Sequence, residues 1–262
     1  LDCSSASPEV AQARMVTAIE REGIDAVLAA GGDGTIRRVA AVAAPRGVPV
    51  GIVPLGTGNV MAHEIGLPTA PSALADVLIG GPVARVRGGT ANGEPFFLWA
   101  GVGFDGRVVS GLDHAWKRRI GKLAYARAIA GALGAPPDDL EVVVDGMRRA
   151  AAWVIVTNAS RYGGSFTLTR HTRLTEPGLA TLLFRGGSRA RLVGALSAIA
   201  LGRLPRLEAL GALDVVRPSR HVVVTARRAV PVQVDGDPFG LTPLEIRDEG
   251  PELQVIVPPA PG

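Results

Sequence analysis

Three aspartates in glycine-rich segments are the residues of this sequence best suited to chemistry. Asp33 lies inside Gly31–Thr35, and Asp235 and Asp237 flank a glycine directly after an apolar run. Glycine turns allow backbone N–H groups to approach an anion closely, and a carboxylate can hold a metal ion or accept a proton. Each segment also has a purely structural interpretation, because Asp33 could cap a helix and Asp235–Asp237 could form a simple hairpin turn.

The segment around Asp33 has the pattern of a strand, a glycine turn and a helix. Ala26–Ala30 predicts a short buried strand, and the Ala- and Val-rich segment that follows predicts a helix that ends near Ala44. Such a turn can bind phosphate, because a helix N-terminus and free N–H groups attract anions. Asp33 itself would repel a phosphate, so we expect it to act through a cation or a water molecule. The candidate nucleotide-binding residues here are Gly31, Gly32, Gly34 and Thr35.

A second glycine loop repeats this pattern. Val48–Val53 predicts another short strand, and a helix is expected to begin at Val60. Both loops would then lie at the same carboxyl edge of a parallel sheet, which is where ligands bind in open α/β folds. A turn alone explains either loop, but it explains the pair less well. The second loop adds the candidate nucleotide-binding residues Gly56, Thr57, Gly58 and Asn59.

Length and composition exclude several classes of protein. The chain has 262 residues, 47% hydrophobic and 20% charged, which suits one large or two small folded domains. Its single cysteine excludes a disulfide framework or a cysteine-ligated zinc site and favours a reducing compartment. Aromatic residues make up only 4%, which argues against nucleic-acid binding, whereas a net charge of +4 would assist contact with an anionic membrane. The longest apolar run, Leu192–Leu201, is too short to span a bilayer, which needs about 20 residues.

The pattern of predicted elements changes near residues 80–82. Before this point strands and helices alternate, which is typical of a doubly wound parallel sheet. After it, short β-rich segments separated by turns such as Asn92-Gly93 and Asp145-Gly146 predict a β-sandwich, interrupted by helices at residues 117–133 and 189–204. The sequence therefore predicts an α/β domain over residues 1–82, whose glycine loops are the candidate nucleotide-binding site, and a β-rich domain over residues 83–262. The last segment of the second domain could return to the first.

With these segments in view, the chain resembles the diacylglycerol kinase catalytic-domain family, which includes the soluble bacterial lipid kinases and the sphingosine kinases. The motifs that carry the resemblance follow the family's order over most of the chain: Gly31-Gly32-Asp33-Gly34-Thr35, Pro54-Leu55-Gly56-Thr57-Gly58-Asn59, Gly101-Val102-Gly103-Phe104-Asp105, Lys117…Gly121…Tyr125, Asn158 with Gly163-Gly164, and Val234-Asp235-Gly236-Asp237. The resemblance implies that ATP donates its γ-phosphoryl group to a lipid hydroxyl such as that of diacylglycerol.

The resemblance also implies roles for the three aspartates. Asp235 matches the position that the family uses as general base toward the lipid hydroxyl. Asp33 and Asp237 would belong to a magnesium–water network at the phosphates, so the implied cofactors are ATP and Mg²⁺. A cytoplasmic protein of this kind would meet its lipid at the inner face of the membrane and could form a homodimer, with no role for nucleic acid.

Two other functions stay open. NAD kinases also use Gly-Gly-Asp-Gly-Thr on a similar two-domain plan, although residues 54–59 and 235–237 favour the lipid branch. The other alternative is a non-catalytic nucleotide- or lipid-binding relative. It arises because the family's opening Asn-Pro motif is not found here, where residues 1–3 resemble only a remnant of that strand. In addition, Thr175–Gly178 carries one acid where the family's structural metal loop has two, which argues against a metal there.

Overall fold

The computed structural model describes residues 8–112, 122–164, 166–170 and 172–260. The helices are α1 (Pro8–Glu22), α2 (Asp33–Ala43), α3 (Val60–Glu64), α4 (Pro71–Gly80), α5 (Phe104–Ser110), α6 (Lys122–Gly134), α7 (Arg189–Ala200) and α8 (Leu204–Ala209). The strands are β1 (Val27–Gly31), β2 (Val50–Pro54), β3 (Val83–Arg87), β4 (Gly89–Ala91), β5 (Glu94–Phe96), β6 (Trp99–Gly103), β7 (Leu140–Val144), β8 (Met147–Ala151), β9 (Trp153–Thr157), β10 (Arg161–Tyr162), β11 (Phe166–Thr167), β12 (Leu179–Phe184), β13 (Leu213–Ser219), β14 (His221–Ala226), β15 (Pro231–Val234), β16 (Asp237–Leu241), β17 (Leu244–Arg247) and β18 (Glu252–Ile256). The predicted strand remnant at residues 1–3 and the first part of the helix predicted at 117–133 lie outside the described residues.

The first layer is a four-stranded sheet in the order β1-β2-β18-β3. β1 and β2 are parallel, with Gly31 opposite Pro54, so both strands end level at one edge of the sheet. The two glycine loops follow these strand ends and lead into α2 and α3. Ile36, Ala40 and Ala43 form the buried face of α2 at the helical spacing of three to four residues. This edge therefore places the two loops side by side.

The end of the chain returns to this first sheet. β18 pairs in parallel with β2 and antiparallel with β3. β3 begins directly after the predicted boundary at residues 80–82, yet its pairing with β18 makes it part of the first sheet. By strand pairing, the chain leaves the first sheet only after Arg87.

The second part of the chain is a sandwich of two six-stranded sheets. The inner sheet has the order β13-β12-β9-β6-β15-β16, and the outer sheet has the order β5-β4-β17-β14-β7-β8. Successive residues of β9 point to opposite faces of the inner sheet. Val154 and Val156 pack between the two sheets, whereas Trp153 and Ile155 belong to the core on the other face, which also contains residues of the helices. Because both faces of the inner sheet are covered, β6, β9 and β12 are buried along their whole length. An α/β layer followed by a β-sandwich confirms the predicted fold class.

The apolar run Leu192–Leu201 forms most of α7, which packs on the sandwich. Ala195, Ala198 and Ile199 of this helix are buried in the same core cluster as Trp153. Among the helices that the structure describes, none is both long enough and apolar enough to cross a bilayer.

Candidate active site

The two glycine loops touch each other through their backbones. A Cβ atom added at Gly56 would lie 2.4 Å from the Cα atom of Gly32, and one added at Gly32 would lie 3.1 Å from the Cα atom of Gly56. The N–H of Leu55 donates to the carbonyl oxygen of Gly31 at 3.1 Å, which joins the loops just below this contact. Only glycine permits so close an approach, so the two glycines are needed to bring the loops together.

Asp33 holds the two loops in place. It is the first residue of α2, and its carboxylate accepts hydrogen bonds from the N–H groups of Val60 (3.1 Å) and Met61 (3.0 Å) at the start of α3. Burial raises the pKa of Asp33, while these two N–H groups act in the opposite direction. Asp33 is therefore a link between the loops and not a cap of its own helix. Its predicted role in a magnesium network stays a prediction.

Asn59 fixes the shape of the second loop with its side-chain amide. Its Oδ1 atom accepts from the N–H of Gly56 at 2.8 Å, and its Nδ2 atom donates to the carbonyl oxygens of Gly56 (2.9 Å) and Pro54 (3.2 Å). The N–H group of Gly56 is therefore already used within the loop and is not a free donor. Among the residues that the structure describes, the N–H groups of Gly34, Thr57 and Gly58 have no hydrogen-bond acceptor.

Thr35 lies against the first loop. A Cβ atom at Gly31 would meet its Oγ1 atom at 2.5 Å, so the hydroxyl stands directly over that glycine. The predicted binding residues of the first loop, Gly31, Gly32, Gly34 and Thr35, thus share one edge of the sheet with Gly56, Thr57, Gly58 and Asn59.

Asp235 is buried, and its carboxylate does not open to a cleft as a general base toward a lipid hydroxyl would need. The residue is 2% exposed, and its carboxylate accepts from the N–H groups of Phe97 (2.9 Å), Leu98 (2.9 Å) and Trp99 (3.0 Å). Burial raises the pKa of Asp235 to about 6, against the lowering effect of these donors. The carboxylate faces the start of β6, which is apolar, and so it is enclosed. Its predicted action as general base stays a prediction.

Asp237 is the member of the pair that reaches the glycine loops. A Cβ atom at Gly34 would lie 2.6 Å from its Oδ2 atom and 2.8 Å from its Oδ1 atom, so any side chain at Gly34 would displace this carboxylate. Its side chain is 27% exposed, and its Oδ2 atom lies 3.5 Å from an Nη2 atom of Arg37 on α2. The sandwich thus supplies one accessible carboxylate to the edge where the loops meet.

A buried polar chain supports this turn, and sequence reasoning missed most of it. The side chain of Gln233 donates through Nε2 to Asp105 at 2.5 Å and accepts through Oε1 from the N–H of Gly236 at 2.9 Å. The hydroxyl of Tyr162 donates to the other oxygen of Asp105. Burial raises the pKa of Asp105 to about 6, although both donors lower it. Gln233 therefore ties the turn at Gly236 to the buried Asp105–Tyr162 pair.

A second contact joins the α/β layer to the sandwich near this chain. Glu64, at the end of α3, accepts from the hydroxyl of Ser160 at 2.9 Å and from the N–H of Arg161. The end of α3 is thereby held to the segment that carries Ser160 and Arg161. Within the described residues, no group of three acidic, histidine or cysteine side chains could hold a metal ion. At the Thr175–Gly178 loop, the carboxylate of Glu176 lies 3.8 Å from the guanidinium of Arg173.

The fold and the site together define a class: two-domain proteins in which glycine loops of an α/β sheet face an acidic turn of a β-sandwich. The family model described as the diacylglycerol kinase catalytic domain matches residues 2–91. The family model described as the YegS C-terminal NAD kinase beta sandwich-like domain matches residues 99–257. The chain belongs to the diacylglycerol kinase family.

Two relatives and one solved structure show the extent of the similarity. A protein named diacylglycerol kinase from Mycobacterium tuberculosis is 30% identical over 257 residues, which cover 93% of this chain and 80% of that protein. An uncharacterized protein of Synechocystis sp. is 28% identical over 246 residues, and the match covers 90% of this chain but only 56% of that relative. A solved diacylglycerol kinase structure from Bacillus anthracis has a TM-score of 0.68 at 18% identity, covering 95% of this chain and 82% of that one, which shows the shared fold.

Proposed function

We propose that the protein is an ATP-dependent lipid kinase that transfers the γ-phosphoryl group to a lipid hydroxyl such as that of diacylglycerol. The observation that carries the proposal is the position of Asp237 over Gly34, which brings a carboxylate of the sandwich to the edge formed by both glycine loops. Membership of the diacylglycerol kinase family supports the same function.

The chain's own residues divide the work of phosphoryl transfer. The unpartnered N–H groups of Gly34, Thr57 and Gly58 would bind the nucleotide phosphates, assisted by the N-terminus of α2. Asp237 is the accessible carboxylate at this edge, so we assign to it the proton of the attacking hydroxyl. Asp235, enclosed by three N–H donors, would hold the turn that carries Asp237.

Magnesium fits this site only as an ion shared with the nucleotide. Kinase sites commonly hold Mg²⁺ through one or two carboxylates, with phosphates and waters as the other ligands. Asp237 fits such a role better than Asp33, because both oxygens of Asp33 already accept N–H groups. When bound, the ion would neutralise the charge of the phosphates.

The acceptor would be met at a membrane surface, and the α7–α8 region supports this part of the proposal. Val193, Leu201 and Leu210 are 47%, 63% and 79% exposed there. Four arginines flank them, at positions 189, 191, 203 and 206, with Glu208 as the acid in that run. Exposed leucines beside arginines favour an anionic bilayer, since each basic residue near such a surface contributes about 1 kcal/mol. Sedimentation with anionic and with zwitterionic vesicles measures this contact.

An NAD kinase is the alternative function, because the family model that matches the sandwich is described as NAD kinase-like. Incubation of the protein with radiolabelled ATP and magnesium, with a panel of lipids and with NAD in parallel, separates the two. Labelled lipid without labelled NADP is the expected result. Labelled NADP alone would establish the alternative, and no labelled product beside measurable ATP binding would favour a non-catalytic relative.

A further inference from the structure

Arg37 places a positive charge at the site, and its ion pair with Asp237 does not adequately explain why a largely buried arginine lies there. It lies on α2, three residues after Gly34, and therefore on the same side of the helix as that glycine. Its side chain is only 18% exposed. Its Nε atom is buried and has no hydrogen-bond partner among the residues that the structure describes. A buried donor without an acceptor is costly, so its presence at this edge requires a reason.

Two other arginine–aspartate pairs in the molecule use two nitrogens each, whereas Arg149, whose Nε atom is also without a partner among the described residues, lies 4.0 Å from Asp214. Arg185 donates to Asp214 through two nitrogens, at 3.0 and 2.7 Å. Arg107 also uses two nitrogens toward Asp138, with its Nε atom at 3.0 Å. Arg37 makes a single contact with Asp237, at the long distance of 3.5 Å. Most of the hydrogen-bonding capacity of Arg37 is therefore not used by Asp237.

We propose that Arg37 binds a phosphate group of the nucleotide and that Asp237 is its partner only while the nucleotide is absent. This inference rests on the proposed function, because it assumes that ATP occupies the glycine loops. The planar guanidinium presents five donors, and it binds phosphate oxygens in pairs. Arg37 and the free N–H of Gly34 lie on one face of α2, near the helix N-terminus, where negative charge is favoured.

The proposal assigns a second role to Asp237 before the reaction. Its carboxylate lies over Gly34, so it is itself an anion at the place where the loop would attract phosphate. A phosphate that binds Arg37 would compete with this carboxylate for the same guanidinium. Release of Asp237 from Arg37 would then free the carboxylate to accept the proton of the lipid hydroxyl, so that nucleotide binding would prepare the base.

Titration calorimetry with ATP tests the inference, and the neighbouring residue supplies a matched control. Arg38 is exposed on the same helix. In EDTA, which removes any contribution from a metal, Arg37→Gln is expected to weaken ATP binding about 10- to 100-fold, the usual effect of a charge-assisted hydrogen bond. Arg38→Gln is expected to change it less than about twofold. Arg37→Lys, which keeps the charge but loses the planar group, should fall between the parent and Arg37→Gln.

A double-mutant cycle separates phosphate binding from a structural ion pair. Asp237→Asn should strengthen ATP binding roughly three- to tenfold when Arg37 is present, because a competing anion is removed. In the Arg37→Gln background the same change should have much less effect. If Arg37→Gln binds ATP as the parent does while its Tm falls, Arg37 is only a structural partner of Asp237 and the inference is wrong.

The measurements also distinguish failure of this inference from failure of the proposed function. A parent protein that binds ATP tightly alongside an equally tight Arg37→Gln variant contradicts the role of Arg37 alone. A parent protein that binds ATP neither in EDTA nor with magnesium present contradicts the proposed function and this inference with it. If Arg37→Gln fails to fold, Arg37→Lys provides the test instead. If Arg37→Lys and Arg38→Gln both bind ATP as tightly as the parent does, a planar donor at position 37 is not needed.

Discussion

Two aspartate–glycine turns in the sandwich have the same backbone and different surroundings. Asp145 and Gly146 have φ values of 48° and 83°, and Asp235 and Gly236 have 49° and 84°. Each turn joins two antiparallel strands, β7 to β8 and β15 to β16. Positive φ at both central residues is typical of the type I′ hairpin turn, which favours this residue pair. The backbone alone therefore does not distinguish a structural turn from a functional one.

The carboxylates of the two turns also make the same kind of contact. Asp145 accepts from the N–H groups of Arg220 (3.1 Å) and His221 (2.8 Å), and Asp235 accepts from the three N–H groups at residues 97–99. Asp145 is exposed, however, whereas Asp235 is buried. The residue after the glycine differs as well, since the first turn has an exposed Met147 and the second has Asp237 over a glycine loop. The burial of the aspartate and the residue after the glycine therefore distinguish the functional turn from the structural one.

The largest expected effect comes from the residue after each glycine. Asp237→Asn removes the accessible carboxylate, so turnover with the lipid acceptor should fall about 10²- to 10⁴-fold, the usual contribution of a positioned base. Met147→Asn, at the matched position of the other turn, should leave turnover unchanged. Steady-state kinetics on both variants, with circular dichroism to confirm folding, measure the difference. Full activity in Asp237→Asn would mean that the base lies elsewhere, with Asp235 as the next residue to examine.

The glycine loops, the two aspartates and Arg37 differ in how far the sequence predicts them. The glycine loops were predictable, because a strand, glycines and a helix follow each other locally in Gly31–Thr35 and Gly56–Asn59. The relative orientation of Asp235 and Asp237 was not predictable. Residues two apart point the same way only in a regular strand, whereas the positive φ values of Asp235 and Gly236 direct the two aspartates apart. Arg37 could have been found, since its spacing of three from Gly34 is visible in the sequence.

Long-range polar contacts are the part that the sequence does not reveal. Gln233 and Asp105 are separated by 128 positions, and Glu64 and Ser160 by 96. Nothing in the local pattern of either residue indicates its partner, because strand pairing decides which side chains meet. The chain Tyr162–Asp105–Gln233 therefore emerges only from the folded structure.

The next effect concerns stability and compares the two aspartates directly. Asp235→Asn places an amide NH₂ group against three N–H donors in a buried position, so we expect a loss of about 3 kcal/mol in the free energy of unfolding, or roughly 5–10 °C in Tm. Asp145→Asn is exposed, so water can replace the lost contact and the change should stay below about 1 kcal/mol. Thermal unfolding of both variants measures the difference. Equal losses would show that the buried and the exposed turn depend on their carboxylates to the same extent.

The smallest expected effect is a pH dependence to which the buried carboxylates Asp235 and Asp105 contribute. Burial raises the pKa of Asp235 and of Asp105 to about 6, well above the usual value of an aspartate. A carboxyl group with a raised pKa binds its proton in the folded state first, so the protein should become more stable as the pH falls through 6. Between pH 7 and pH 5 each group should contribute about 1 kcal/mol of added stability.

Asp105→Asn, which can still bond to Tyr162 and Gln233, should remove about half of this gain. Met147→Asn, which changes no titratable group, should keep the pH dependence of the parent. Denaturant unfolding at pH 5, 6 and 7 measures all three proteins, and an unchanged pH slope in Asp105→Asn would show that Asp105 stays ionised in the fold throughout this range.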